Sequence, residues 1–235
     1  MCIRDSIEAA RLGAPGIAVG NVVGSNIANV LLILGIAALI TPIAVSAGTF
    51  RSNGPVLIGA SLLAVLVCLL GEVGRIWGSA FVVLLAGYTL VAYYSGRRGL
   101  EDPAMTHLAE EVESAPPRGR SLALYLALTV AGLAGVVYGA NLLVVGAVGL
   151  ARLAGISETV IGLTVVAVGT SLPELATSVV AALRRHGDVA LGNVIGSNIF
   201  NILGILGVTA LYRPFQVPDE IVRFDIWVML LAAIL

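Results

Sequence analysis

Apolar residues form long runs along this chain, separated by short breaks that contain glycine, proline or charge. The runs cover 17–40, 54–70, 76–95, 122–153, 157–183, 189–211 and 221–235. A helix needs about 20 apolar residues to cross about 30 Å of hydrocarbon, and most of these runs have that length. Trp77, Tyr93 and Tyr212 lie near run ends, as aromatic residues do at a membrane interface. The pattern predicts an all-α polytopic membrane protein.

Composition supports this prediction and narrows the partners. Of the 235 residues, 58% are hydrophobic and 11% are charged, whereas soluble domains contain about 25% charged residues. The net charge of −1 gives no reason to expect a nucleic-acid partner. Cys2 and Cys68 share no metal-binding or redox spacing. We therefore expect the lipid bilayer to be the main partner, no nucleic acid, no cofactor and a monomeric protein.

A single stretch, 97–120, is polar, with charges of both signs and two consecutive prolines. We interpret it as a cytoplasmic linker between two halves, 1–96 and 121–235. Its clustered glutamates could instead form a regulatory ion site, but acidic residues without ligand spacing are usually only solvated. The chain begins with MCIRDS, which does not resemble a signal peptide, and ends within an apolar run. We therefore expect a fragment that lacks both ends of its parent protein.

One sequence segment occurs twice, 172 positions apart: residues 20–35 read GNVVGSNIANVLLILG and residues 192–207 read GNVIGSNIFNILGILG. Membrane transporters built from two copies of one unit bind their substrate where the copies meet. Each copy has a GxxxG step, which favours close helix packing. Each also has a polar stripe at helical spacing, formed by Asn21, Ser25 and Asn29 in the first copy and by Asn193, Ser197 and Asn201 in the second.

A carboxylate lies deep within an apolar run just before the second copy, in the segment 168–175, VGTSLPEL. Glu174 needs a cation, a proton or a basic partner there, because an isolated charge at membrane depth is costly. Pro173 lacks an N–H and crowds the carbonyl of Gly169, so we expect a helix break beside Thr170 and Ser171. A glycine step or a hydroxyl alone would indicate packing. Together with the repeated stripes, these features favour an ion site.

GTSLPEL followed by GNVIGSNIFN resembles the second alpha repeat of the cation/calcium exchanger superfamily, sodium/calcium exchanger type, and GNVVGSNIAN resembles the end of the first. The resemblance implies a fold of ten helices in two inverted five-helix halves, truncated here to about seven or eight helices. It also implies that Thr170, Ser171 and Glu174 coordinate Na⁺ and Ca²⁺ with the carbonyl of Ala167. By the same resemblance, Ser25 and Ser197 add hydroxyls, and Asn29 and Asn201 lie at the centre of the site. Some prokaryotic members have Asp at the position of Asn201.

The resemblance implies a secondary antiporter, in the inner membrane of a prokaryote, that exchanges Na⁺ for Ca²⁺ by alternating access. Two alternatives within the superfamily are H⁺/Ca²⁺ exchange and K⁺-dependent Na⁺/Ca²⁺ exchange. An inactive fragment is a third alternative, because the residues before Ser6 do not extend into a first GTSLPE-like motif. Intramembrane hydrolysis with Ser171 as nucleophile would need a base, and no His or Lys lies within the apolar runs. We therefore expect no enzyme activity.

Overall fold

The computed structural model describes residues 15–43, 47–97 and 122–235, and these ranges are mainly helical. The predicted linker, apart from its first residue, and the N-terminal residues 1–14 lie outside the described residues. The α-helical segments are α1 (Pro15–Ile27), α2 (Gly35–Ile40), α3 (Ala47–Leu69), α4 (Arg75–Arg97), α5 (Leu122–Leu153), α6 (Glu158–Ile161), α7 (Ala167–Thr170), α8 (Leu172–Leu183), α9 (Gly187–Ile199), α10 (Gly207–Tyr212) and α11 (Ile226–Ile234).

Wider π-helical segments connect several of these helices without ending them. Such segments are uncommon and often occur at functional sites. Two of them begin 172 positions apart, so the repeated sequence folds into the same local structure twice. The four π-helical segments are Ala28–Leu34 between α1 and α2, Gly162–Val166 between α6 and α7, Phe200–Leu206 between α9 and α10, and Ile221–Asp225 before α11.

Three helical stretches form the site. The first repeat helix is α1 to α2 with its π-helical segment, and the second repeat helix is α9 to α10 with its own. The third is the broken helix, which runs from α6 to α7 and then, after a turn at Ser171, into α8. Its two arms differ in direction by 44°. The break predicted from Pro173 is therefore confirmed, with the proline in the first turn of α8.

Within the described residues, four helices are long and apolar enough to cross a membrane: 16–40, 75–95, 124–153 and 187–212. The broken helix is a fifth if its two arms count as one span. The two remaining predicted runs are also helical, as α3 and as the Ile221–Asp225 segment with α11. Large apolar side chains of α5, including Leu126, Leu133 and Leu142, are exposed. An exposed apolar surface of this kind suits contact with lipid.

The first repeat helix packs directly on the first arm of the broken helix through its glycines. A Cβ atom at Gly20 would lie 2.9 Å from the carbonyl oxygen of Thr159, and one at Gly24 would clash with the carbonyl oxygen of Leu163. The GxxxG step of the first copy therefore brings two backbones together, as predicted from the sequence. This packing places the polar stripe of the first repeat helix beside α7.

The second repeat helix packs on α4 in a similar way, at its C-terminal end. A Cβ atom at Gly78 would lie 2.8 Å from the carbonyl oxygen of Gly207, and Phe81 is fully buried in the same contact. Beyond this contact, β1 (Glu72–Val73) and β2 (Phe215–Gln216) pair antiparallel. This short ribbon joins the α3–α4 loop to the segment after α10, so the second repeat helix is held at its end.

Candidate ion-binding site

Beside the break in the helix, four oxygen atoms from two elements, α1 and α7, lie close together. The Thr170 hydroxyl lies 2.9 Å from Asn21 Oδ1, 3.2 Å from the carbonyl oxygen of Ala167 and 3.2 Å from Ser25 Oγ. Ser25 Oγ in turn lies 3.3 Å from both Asn21 Oδ1 and the Ala167 carbonyl. The side chains of Asn21, Ser25 and Thr170 are each at most 2% exposed. We call this group the oxygen cluster.

A cavity of about 390 Å³ lies on the other side of the break. Glu174 is half-buried there, and its Oε2 atom is buried with no hydrogen-bond partner among the described residues. A carboxylate oxygen in such a place needs a positive partner or a proton, because burying an unpaired charge is costly. The cavity is lined by Glu174, Gly192, Asn193, Gly196, Ser197, Phe200 and Asn201.

Asn193 joins the second repeat helix to α8 at the rim of this cavity. Its side-chain amide donates to the carbonyl oxygen of Glu174 at 3.2 Å and to Ser178 Oγ at 3.0 Å. Ser178 is fully buried. The amide therefore fixes the backbone that carries the carboxylate, and it leaves the Glu174 side chain facing the cavity.

Asn29 lies at the contact between the two repeat helices and is not among the residues that line the cavity. Its Nδ2 donates to Asn198 Oδ1 at 2.9 Å, and Asn198 Nδ2 donates to the carbonyl oxygen of Asn26 at 3.3 Å. Asn29 and Asn198 are each 1% exposed. The two repeats thus meet through an asparagine pair in the protein interior.

The eight residues expected from the sequence are distributed over this arrangement. Ala167, Thr170 and Ser25 are in the oxygen cluster, whereas Glu174, Ser197 and Asn201 line the cavity. Ser171, which is 4% exposed, forms the turn between α7 and α8 that separates the two. Asn29 is in the contact between repeats.

Three residues of the site were absent from the expected ligand set: Asn21, Asn193 and Asn198. Asn21 and Asn193 belong to the polar stripes seen in the sequence, so the four-residue spacing could have included them. Asn198 follows Ser197 directly and points to another helix face, which the spacing did not indicate. Only the contact between the two repeat helices reveals its role.

The donor atoms are of one chemical kind. Within the described ranges, no three His, Cys, Asp or Glu side chains are close enough together to hold a metal ion. The oxygen cluster and the cavity instead supply a carboxylate, amide oxygens, hydroxyls and a backbone carbonyl. Hard cations such as Ca²⁺ bind to oxygen donors of these kinds. The donor set therefore matches the chemistry of a hard cation.

Known proteins are similar to this chain along most of its length. The family model described as sodium/calcium exchanger protein matches residues 5–94 and 124–235. The chain is 40% identical over 233 residues to the provisionally named antiporter CaxA of Alkalimonas amylolytica, covering 97% of this chain and 71% of that protein. It is 34% identical over 259 residues to the sodium/calcium exchanger MaX1 of Methanosarcina acetivorans, covering 97% of this chain and 74% of that protein.

The fold is similar to a solved exchanger as well. The structure of the sodium-calcium exchanger NCX_Mj soaked with 10 mM Na⁺ and 10 mM Sr²⁺ matches with a TM-score of 0.73 and 34% identity. The match covers 99% of this chain and 73% of that chain. The repeated polar helices, the broken helix between them and these matches together show that the chain belongs to the sodium/calcium exchanger family of membrane cation antiporters.

Proposed function

We propose that this protein exchanges Na⁺ for Ca²⁺ across a prokaryotic inner membrane by alternating access. The observation that carries the proposal is the Glu174 carboxylate, which faces a polar cavity inside a helical membrane protein with one oxygen buried and unpaired among the described residues. Intramembrane carboxylates of this kind typically mark ion pathways. The exchangers MaX1 and NCX_Mj carry both ions in their names, which supports the same pair of substrates here.

In this proposal the two polar groups on either side of the helix break bind the ions. Glu174, Ser197 and Asn201 hold a cation in the cavity, and Ser171 joins from the turn beside it. Thr170, Ser25 and the Ala167 carbonyl hold a second cation once the hydroxyls turn their lone pairs toward it. Asn29 contributes its amide oxygen from the first repeat. Because Na⁺ and Ca²⁺ use overlapping oxygens, occupancy by one excludes the other, which is the requirement for exchange.

Alternating access follows from the two inverted copies. In transporters of this architecture, one part moves against the other around a fixed site at the midplane. The oxygen cluster joins the first repeat helix to the broken helix, and Asn193 joins the broken helix to the second repeat helix. These contacts support a site formed between the two halves, and movement between the halves would open it to one side of the membrane at a time.

The test is calcium flux in liposomes. With the protein reconstituted and Na⁺ inside, we expect an outward Na⁺ gradient to drive uptake of radioactive calcium. Glu174→Gln should reduce this uptake to the level of empty liposomes, because the only charge change is at the cavity. Glu72→Gln, which alters an exposed carboxylate in the β ribbon, is the matched control and should leave uptake within about twofold of the wild type.

Other outcomes would change the proposed coupling ion or contradict the proposal. Uptake driven by a pH gradient without Na⁺ would replace it with H⁺/Ca²⁺ exchange. Uptake that requires K⁺ together with Na⁺ would make the exchanger K⁺-dependent. Unchanged uptake by Glu174→Gln would contradict the ligand assignment, and absence of flux under every gradient would contradict the exchange activity of this chain.

A further inference from the structure

Asparagine side chains from both repeat helices form a network at their contact. Asn198 accepts a hydrogen bond from Asn29 Nδ2 at 2.9 Å and donates one to the backbone carbonyl of Asn26 at 3.3 Å. Both polar atoms of the Asn198 side chain are thus engaged by the first repeat. Its side chain is 1% exposed, so water does not compete for these bonds.

The bond from Asn29 decides which way the Asn29 amide points. Since Nδ2 is turned to Asn198, Oδ1 is turned away from it. That oxygen is buried and has no hydrogen-bond partner among the described residues. A buried amide oxygen without a hydrogen-bond partner is unfavourable, because nothing replaces the water that it has lost. The network therefore leaves a buried amide oxygen of Asn29 without a hydrogen bond, and a cation is a partner that would satisfy it.

We propose that Asn198 is a positioning residue that presents Asn29 Oδ1 to the transported cation. This inference rests on the proposed function of the site. Asn198 does not itself bind the ion, because its own oxygen is taken by Asn29 and its amide hydrogens face Asn26. It acts through Asn29, because its side chain, on the second repeat helix, bonds both the Asn29 amide and the Asn26 backbone carbonyl of the first.

The chain supplies a matched control at the position related by the repeat. Asn26 occupies in the first copy the place that Asn198 occupies in the second. Its Nδ2 donates to the carbonyl of Val22 at 3.0 Å and contacts the Met229 sulfur at 3.8 Å. Removing the Asn26 side chain leaves its backbone carbonyl, and hence the bond from Asn198, in place. Asn26→Ala thus deletes an equally buried amide without touching Asn29.

The experiment measures equilibrium binding of radioactive calcium to purified protein in lipid nanodiscs, on the folded fraction from size exclusion. The variants are Asn29→Ala, Asn198→Ala, the double variant and Asn26→Ala. Loss of a residue that orients a metal ligand typically weakens metal binding by about 10–100-fold, and we expect about tenfold for Asn198→Ala. Asn29→Ala should lose at least as much, and the double variant should bind no more weakly than Asn29→Ala. Asn26→Ala should stay within about twofold of the wild type.

An effect of Asn198 on calcium binding that does not pass through Asn29 predicts a different result. In that case the losses of Asn198→Ala and Asn29→Ala would multiply in the double variant, because effects of independent sites add in free energy. Multiplied losses, or unchanged binding by Asn198→Ala, would overturn the inference. If Asn198→Ala does not fold, Asn198→Ser keeps an oxygen at the position, and the same non-additivity should appear on a loss of about threefold.

The failure of this inference can be told apart from failure of the proposed function. If wild-type protein binds calcium and Glu174→Gln abolishes that binding, then multiplied losses at Asn198 and Asn29 overturn the positioning role alone. If wild-type protein binds neither calcium nor sodium, both proposals fail together.

Discussion

The two repeat helices have nearly the same sequence and the same local fold, but their equivalent residues make different contacts. In the first, Gly20 and Gly24 are pressed against the broken helix, and Asn21 and Ser25 are locked into the oxygen cluster. In the second, the corresponding glycines, Gly192 and Gly196, have no other described atom within 4 Å of an added Cβ and line the cavity instead. The glycine face of the first repeat helix is therefore closely packed, whereas the glycine face of the second is open to the cavity.

This difference shows that a residue's role in a repeat protein depends on what its copy faces. The same glycine step brings two backbones together in the first copy and borders an open cavity in the second. In the first copy, Asn21 and Ser25 of the polar stripe form hydrogen bonds in the oxygen cluster. In the second copy the stripe lines the cavity, and its Asn193 is also hydrogen-bonded to α8. Paired substitutions at equivalent positions should therefore have unequal effects.

The largest difference between equivalent substitutions is expected at the glycines, where it concerns the stability of the protein. Gly24→Ala places a Cβ atom against the Leu163 carbonyl and 2.7 Å from Ala167 Cβ, so the two helices must separate. Overpacking of this kind costs about 3 kcal/mol. Gly196→Ala adds its methyl group to open space and should leave stability unchanged or slightly improved. Thermal unfolding in detergent, followed by size exclusion, measures both variants. Equal melting temperatures would show that the first copy is not packed as described.

A smaller inequality is expected between Asn29→Asp and Asn201→Asp. Asp at 29 loses the donor to Asn198 Oδ1, and whichever way the Asn198 amide turns, two acceptors then face each other. The cost is about 1–3 kcal/mol of stability. Asp at 201 lies on the cavity wall, where a bound cation compensates its charge.

We therefore expect Asn201→Asp to fold normally, to bind calcium more tightly and to lose that gain as falling pH protonates the new carboxyl. Calcium binding measured across a pH series checks this. The comparison would fail if Asn29→Asp were the stable variant of the two, or if Asn201→Asp bound calcium no better than the wild type at any pH.

The smallest inequality is expected at the serines. Ser25→Ala removes a hydroxyl that lies within hydrogen-bond distance of Asn21, Ala167 and Thr170, and it should lower stability by about 1 kcal/mol. Ser197→Ala removes a hydroxyl from the cavity wall and should weaken calcium binding about threefold at unchanged stability. Chemical unfolding and calcium titration of both variants separate these effects. A larger loss of stability for Ser197→Ala than for Ser25→Ala would contradict the description of the first copy as packed and the second as open.

Much of the fold was predictable because it depends on local patterns. Long apolar runs become helices in a membrane, where every backbone group must be satisfied within its own segment. Pro173 breaks its helix because it has no N–H to donate, whatever surrounds it. The repeat predicted two similar helices, and they are similar down to the position of the π-helical segment.

The sequence by itself therefore determined the helices, the break beside Glu174 and the oxygen chemistry of the candidate ligands, since these follow from residue type and spacing. The tertiary structure decided which copy of the repeat is packed and which is open, and it paired Asn29 with Asn198. The two copies share the residues of the glycine step and of the polar stripe, so these residues cannot by themselves make the copies differ. The copies differ here because each faces different neighbours, and those contacts form only when the helices assemble.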